Sequence, residues 1–209
     1  MTRFVQPPFL AKFFTGNGVV WDLPCDKKNI YLTFDDGPIP ELTPKILKIL
    51  NDYKIKATFF CVGENIIKHQ ELFNQILINN HEIGNHTFNH LKGWQTPNEI
   101  YFENINKFNS LYPTKLFRPP YGKIKPSQIY KLSNDYRIIL WSVLTYDFDK
   151  TLSGYDCLQL ALDNIYNGAI VVFHDNIKAS DRLLFALPRF IEKCLAQGYS
   201  FNLFPQQFE

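Results

Sequence analysis

Cysteine is scarce in this chain, and its copies lie far apart. The 209 residues include four cysteines, and no two of them form a CxxC pair. Disulfide-built domains are usually shorter and richer in cysteine, and zinc ribbons need closely paired cysteines. We therefore expect free, buried thiols, which favours a reducing compartment. The four are Cys25, Cys61, Cys157 and Cys194.

Long apolar runs and a strong excess of one charge are also missing. No apolar stretch approaches the roughly 18 residues that a membrane-spanning helix needs, and residues 1–21 lack a clean signal-peptide pattern. The 22 basic and 20 acidic residues leave a net charge of +2, too small to indicate binding to nucleic acid or an anionic membrane. We therefore expect a cytoplasmic protein that binds no nucleic acid and has no transmembrane segment. Its oligomeric state stays open.

Short strand-like runs alternate with longer amphipathic segments from residue 30 onward. Strict alternation predicts parallel strands joined by right-handed helical crossovers, and about seven such units fit a closed or nearly closed α/β barrel. Residues 1–28 are expected to be an irregular lead-in packed on the barrel, and residues 29–209 to form it. The predicted strands are 30–34, 57–62, 82–85, 116–118, 137–143, 169–173 and 200–203, and the predicted helices are 44–50, 66–77, 97–110, 126–134, 154–166 and 181–197.

Polar side chains follow five of the predicted strands. In β/α barrels the chemical groups lie on loops at the carboxyl ends of the strands, so these stretches are expected to meet at one rim. They are Asp35 and Asp36, His86 and His90, Arg118 and Tyr121, Asp147 and Asp149, and His174 and Asp175.

Two histidines and one aspartate of this set form a candidate metal site. In a helical turn His86 and His90 would share one face, although this spacing on its own favours two incidental histidines in a loop. Adjacent carboxylates in an extended segment point in different directions, so one of Asp35 and Asp36 can bind an ion while the other acts as a base. Two neutral histidines with one carboxylate are typical of catalytic zinc sites.

The order of motifs resembles the polysaccharide deacetylase family (NodB homology, carbohydrate esterase family 4). The matching segments are residues 33–38 (TFDDGP), 86–90 (HTFNH) and 118–122 (RPPYG), followed by the apolar strand that ends at His174. The resemblance covers residues 29–204. It implies a distorted barrel, a divalent metal, and removal of the acetyl group from an N-acetylated sugar to give a free amine and acetate. Zn²⁺ is the expected metal, with Co²⁺, Ni²⁺ and Fe²⁺ as alternatives.

The resemblance also implies a role for each matched residue. Asp35 would be the general base, and His174 the general acid. Arg118 would orient the base carboxylate, and the backbone N–H of Tyr121 would contact the developing oxyanion. The implied metal ligands are Asp36, His86 and His90.

The sequence departs from the family after the fifth predicted strand. The family usually has an aspartate shortly beyond the tryptophan, where it helps to position the acid histidine, and Leu144 occupies that place here. We hypothesise that Asp147 substitutes for it.

Aromatic residues near the predicted rim are candidates for substrate contact. Tyr121, Trp141 and Phe173 are predicted to bind substrate, since aromatic faces stack on sugar rings; core packing is an equal alternative for Trp141 and Phe173. Trp94 and Tyr146 lie near the same rim.

Three other functions fit the same residues. A metal-dependent amidohydrolase of the same fold would act on a non-sugar amide. An iron oxygenase would use two histidines and one carboxylate, but it leaves Asp35 and His174 without a role. A carbohydrate-binding relative would retain a weakened site.

Overall fold

Strands and helices alternate along the chain, as the sequence predicts. The computed structural model describes residues 5–6, 15 and 18–206. The strands are β1 (Val19–Val20), β2 (Asn29–Asp35), β3 (Thr58–Cys61), β4 (Glu82–Asn85), β5 (Leu116–Phe117), β6 (Arg137–Ile139), β7 (Val143–Leu144), β8 (Ala169–His174) and β9 (Ser200–Phe201). The α-helices are α1 (Thr43–Asp52), α2 (Gly63–Lys68), α3 (Gln70–Ile78), α4 (Asn98–Leu111), α5 (Pro126–Leu132), α6 (Gly154–Leu162) and α7 (Ser180–Ala196).

The strands form one curled parallel sheet with the order β1-β6-β5-β4-β3-β2-β8-β7, and β9 pairs with β2. Every pairing between these named strands is parallel. The predicted α/β barrel is confirmed as a half-barrel whose helices cover its outer face. Its strand number exceeds the prediction because residues 137–143 form two strands and the lead-in contributes β1.

Strands β6 and β7 follow each other in sequence but lie far apart in the sheet: β7 is one edge strand, and β6 lies next to β1, the other edge strand. The segment between them, residues 140–142, crosses the open side of the barrel. The N–H of Leu140 donates to the carbonyl of Val20 at 2.8 Å, and the N–H of Ser142 donates to the carbonyl of Ile170 at 3.1 Å. The crossing segment therefore joins the two edges.

The described part of the lead-in also lies at this open side. β1 pairs with β6, and the N–H of Leu23 donates to the carbonyl of Gly168 at 2.9 Å. Residues 1–4, 7–14 and 16–17 of the predicted lead-in lie outside the described residues, as do 207–209. The division into 1–28 and 29–209 stays a prediction.

The side chains of β2 point alternately to the two faces of the sheet, and this alternation decides where Thr33 and Asp35 lie. Ile30, Leu32 and Phe34 are fully buried against the helix layer. Tyr31 belongs to a separate cluster on the inner face of the sheet. Since successive side chains of a strand point to opposite faces, Thr33 and Asp35 follow Tyr31 onto the inner face.

Local sequence explains several helix starts. Proline stands in the first turn of α1 (Pro44) and of α5 (Pro126), where its missing N–H costs no helical hydrogen bond. Ser153 caps α6 by accepting from the N–H of Asp156. The predicted helix at 66–77 is interrupted at His69, whose φ of −133° is not helical.

The four cysteines are free, as expected. Three of them, Cys61, Cys157 and Cys194, are buried, and Cys25 is half-buried. Among the described residues, no helix combines the length and apolarity needed to cross a membrane.

Gly168 at the open side should tolerate no side chain. Its φ is +88°, and a Cβ would overlap the backbone carbonyl of Leu23. We expect Gly168→Ala to lower the free energy of unfolding by about 3 kcal/mol, measured by urea denaturation. Gly198→Ala is the matched control, because φ there is +81° but nothing lies within 4 Å of the added Cβ; it should cost about 1 kcal/mol. Equal losses for the two variants would contradict the steric argument.

Candidate active site

Arg118 holds the base candidate Asp35 on the inner face of the sheet. The guanidinium is fully buried, and its Nη1 donates to Asp35 Oδ1 at 2.6 Å and to Thr33 Oγ1 at 2.8 Å. Its Nε and Nη2 donate to the carbonyls of Ile139 at 3.1 Å and Leu140 at 2.9 Å. A buried charge is costly unless it is paired and hydrogen-bonded, and these partners meet that requirement. The predicted contact between Arg118 and Asp35 is present.

Asp36 points away from its neighbour Asp35, because its φ of +82° turns the chain at the end of β2. Asn65 donates to its backbone carbonyl at 2.8 Å. Asn176 donates to its carboxylate Oδ2 at 3.0 Å. The other carboxylate oxygen, Oδ1, faces His86 and His90. The two adjacent carboxylates therefore diverge, as predicted.

His86 and His90 lie on a loop and not on a helical turn, which is the backbone conformation that their spacing alone favours. The loop depends on positive φ values of 63° at Thr87 and 56° at His90. Asn104 Oδ1 accepts from the N–H groups of Phe88 at 2.8 Å and Asn89 at 3.0 Å. This backbone still brings the two imidazole rings to 5.1 Å between centroids.

The three predicted metal ligands meet at the distances that a metal site needs. Their ligand atoms all lie within 4.8 Å of one another, and Asp36 Oδ1 is 3.1 Å from His90 Nε2 and 3.6 Å from His86 Nε2. His86 Nδ1 lies 2.8 Å from the Arg118 carbonyl. Because a carbonyl only accepts, Nδ1 carries the hydrogen and Nε2 keeps its lone pair for an ion.

The protonation states of two ligands suit cation binding. Burial lowers the pKa of His86 to about 4, which keeps its ring neutral. Burial opposes ionisation of Asp36, but the hydrogen bond with His90 and the nearby charge of His174 hold its pKa well below the usual value. Two imidazole nitrogens and one carboxylate fit a divalent cation such as Zn²⁺.

His174 ends β8 and pairs with Asp147. His174 Nδ1 donates to Asp147 Oδ1 at 2.7 Å, and its backbone N–H donates to Oδ2 at 2.7 Å. Burial disfavours the charged ring, but Asp147 raises the pKa of His174 to about 9. The structure thus brings together the pair that the sequence spacing suggested. The sequence did not predict a contact of Phe148 with this pair. Its ring packs edge-on against the His174 ring, with 4.9 Å between the ring centres.

Asp175 and Asn176 are two polar residues to which the sequence reasoning gave no role. Asp175 is buried under Gly37, where an added Cβ would overlap its carboxyl group, and Thr43 donates to it. Burial raises the pKa of Asp175 to about 8. Asn176 contacts Asp36 as described. Their position after His174 was the only hint in the sequence, and no known pattern marks an asparagine that orients a carboxylate.

The predicted substrate-binding aromatics differ in exposure. Tyr121 has a φ of 61°, its side chain is 54% exposed, and its ring lies 4.8 Å from that of His90. Trp141 is half-buried against Gly122. The prediction for Phe173 is wrong: alternation along β8 turns it to the helix layer, where it is fully buried beside Phe190.

Residues 22–137 match the family model described as polysaccharide deacetylase. The chain belongs to this family. It is 35% identical over 191 residues to a peptidoglycan-N-acetylglucosamine deacetylase of Bacillus cereus, covering 88% of this chain and 89% of that protein. It is 31% identical over 159 residues to a chitooligosaccharide deacetylase of Azorhizobium caulinodans, covering 72% and 75%.

Solved structures of the polysaccharide deacetylase family share this fold. A peptidoglycan N-acetylglucosamine deacetylase, solved with 4-naphthalen-1-yl-N-oxidanyl-benzamide, gives a TM-score of 0.88 at 32% identity over 97% of both chains. A Bacillus anthracis pseudoenzyme of carbohydrate esterase family 4 gives 0.78 at 26% identity, over 89% of this chain and 67% of that chain.

The contact between Asp147 and His174 should control the acidity of the imidazole. Because the pKa of His174 is raised in the folded protein, the charged ring stabilises the fold fully below its unfolded pKa of about 6.5. That stabilisation is lost as the pH rises through about 9. We expect Asp147→Asn to lower the pKa of His174 by about 1 unit or more, measured by NMR titration of chelator-treated protein.

Asp149→Asn is the matched control for this titration. Asp149 lies two residues away and accepts hydrogen bonds from Thr151, so its removal should leave the pKa of His174 nearly unchanged. If both variants titrate like the wild type, Asp147 does not tune this histidine.

Proposed function

We propose that this protein is a metal-dependent deacetylase. It hydrolyses the N-acetyl amide of an N-acetylated sugar, in a chitin oligomer, peptidoglycan or a related saccharide, and releases a free amine and acetate. The observation that carries the proposal is the meeting of Asp36, His86 and His90 at ligand distances beside the Asp35–Arg118 and His174–Asp147 pairs. The deacetylases named among its relatives support the same chemistry.

Asp36, His86 and His90 would hold the ion, with Zn²⁺ as the expected metal and Co²⁺, Ni²⁺ and Fe²⁺ as alternatives. A divalent ion supplies Lewis acidity, which activates water and polarises the amide carbonyl. The hydrogen bond from Asn176 fixes the carboxylate of Asp36 with one oxygen toward the two imidazoles. The ligand set is therefore oriented before an ion binds.

Asp35 is the general base in this proposal. Arg118 binds its Oδ1, which leaves Oδ2 to accept the proton of the attacking water. The guanidinium is itself held by three further acceptors, Thr33 Oγ1 and the carbonyls of Ile139 and Leu140, so the carboxylate is fixed in direction. Such a positioned proton transfer is typically worth about a hundred- to ten-thousand-fold in rate.

His174 is the general acid. Asp147 accepts the hydrogen on Nδ1, so Nε2 is the nitrogen that donates a proton to the departing amine. A pKa of about 9 keeps the ring protonated at neutral pH. The backbone N–H of Tyr121 is assigned to the developing oxyanion, where a preorganised donor stabilises the tetrahedral intermediate.

Two features favour a sugar amide over the other functions. An iron oxygenase would have no use for the Asp35–Arg118 and His174–Asp147 pairs. The exposed ring of Tyr121 beside His90 and the exposed ring of Trp94 on the loop after β4 suit stacking on sugars and favour a saccharide over a small non-sugar amide. The cytoplasmic location and the lack of nucleic-acid binding stay predictions.

Removal of metal should abolish acetate release from chitin oligomers, and Zn²⁺ should restore it. We expect His90→Ala to lose tight metal binding, measured by calorimetry, and to lose about a hundredfold or more of kcat/KM. His69→Ala is the control, because His69 lies between α2 and α3 outside the cluster. Full activity in the presence of a strong chelator would refute the metal-dependent mechanism.

Asn176 should strengthen metal binding through Asp36. Loss of a group that orients a ligand typically weakens metal affinity about 10- to 100-fold. We expect Asn176→Ala to fall in this range when Zn²⁺ is titrated in competition with a chromogenic chelator. Asn134→Ala, at an exposed turn, is the control. Unchanged affinity in Asn176→Ala would show that its hydrogen bond has no influence on the ion.

A further inference from the structure

One face of the rim carries positive charge and is formed by two loops that contain no carboxylate of their own. They are the loop after β4, residues 86–97, and the loop after β5, residues 118–125. Neither loop contains aspartate or glutamate, although the charge of the chain as a whole is nearly balanced. The two loops contain three lysines, which are Lys92, Lys123 and Lys125. Lys92 and Lys123 are exposed. We call this face of the rim the basic face.

Two exposed aromatic rings lie on the basic face. The side chains of Tyr121 and Trp94 are 54% and 59% exposed. The ammonium of Lys92 lies 4.9 Å from the centre of the Tyr121 ring, and that of Lys123 lies 5.5 Å from the centre of the Trp94 ring. Because the Tyr121 ring also contacts His90, the basic face begins directly at the candidate metal site.

Hydrogen bonds between the two loops hold the basic face in place. Trp94 Nε1 donates to the carbonyl of Ile124 at 2.9 Å, and Lys125 Nζ donates to the carbonyl of Thr96 at 2.8 Å. The loops therefore support each other, and the indole ring of Trp94 has a fixed position. A surface ordered in advance loses less conformational entropy when a ligand binds.

We propose that the basic face is a subsite for an acidic sugar, one that carries a carboxylate and lies next to the N-acetylated sugar that is deacetylated. This rests on the proposed function and narrows its substrate class from N-acetylated saccharides in general to carboxylate-bearing glycans. The rings of Tyr121 and Trp94 stack on the apolar faces of the sugars. Lys92 and Lys123 pair with the carboxylate.

The test compares three oligosaccharides of equal length: a neutral chitin oligomer, a peptide-free peptidoglycan strand whose alternate sugars carry a lactyl carboxylate, and the methyl ester of that strand. The wild type should show the highest kcat/KM on the carboxylate form, and added salt should reduce this preference. In K92Q/K123Q the ratio of kcat/KM for the carboxylate form to that for the neutral oligomer should fall about tenfold, mainly through KM.

K115Q/K193Q is the matched control, because it removes the same charge from two exposed lysines away from the basic face; its ratio should equal that of the wild type. An unchanged ratio in K92Q/K123Q, or an equal fall in both double variants, would overturn the subsite. Lack of acetate release from all three substrates by the wild type would instead contradict the proposed function. Calorimetric binding of the carboxylate strand would then still test the subsite, with weaker binding expected only in K92Q/K123Q.

Discussion

The buried guanidinium of Arg118 is the interaction on which the rest of the site depends. It joins the base candidate Asp35 at the end of β2 to the carbonyls of Ile139 and Leu140, which lie where the chain leaves β6. The backbone carbonyl of the same residue accepts from His86. A fully buried charge has to keep its partners, so the requirement to satisfy one side chain fixes the candidate base, one ring of the candidate metal site and the end of β6 together.

The two adjacent aspartates at the end of β2 face different parts of the site. Asp35 is the last residue of the strand, and its side chain lies on the inner face of the sheet. Asp36 follows the strand with a positive φ, which turns its side chain toward His86 and His90. His174 reaches the same rim from β8, which is paired with β2 in register along six residues. The candidate acid, the candidate base and one candidate metal ligand therefore come from two neighbouring strands, which limits how far they can separate.

The sequence predicted best those parts of the fold and the site that depend on the pattern of apolar residues in the strands. The ends of β2, β4, β5 and β8, and the polar residues after them, follow from apolar runs that stop at polar groups. The backbone of residues 86–90 stayed open between a helical turn and a loop, because Thr87 and His90 adopt positive φ, which residue type alone does not reveal. The prediction was wrong for Phe173, because the face of a buried strand cannot be chosen when both faces are apolar. Asn176 remained without a role, since its contact with Asp36 joins residues 140 positions apart.

The three-residue crossing between β6 and β7 sets the circumference of the barrel. Other rim loops can lengthen without changing the curvature of the sheet, because they connect neighbouring strands through helices outside it. An insertion at residues 140–142 would instead widen the gap between the two edges and draw a carbonyl acceptor away from Arg118. Diversification of such a fold is thus confined to loops that surround the reaction centre, and this short connection is the part whose length has to be kept.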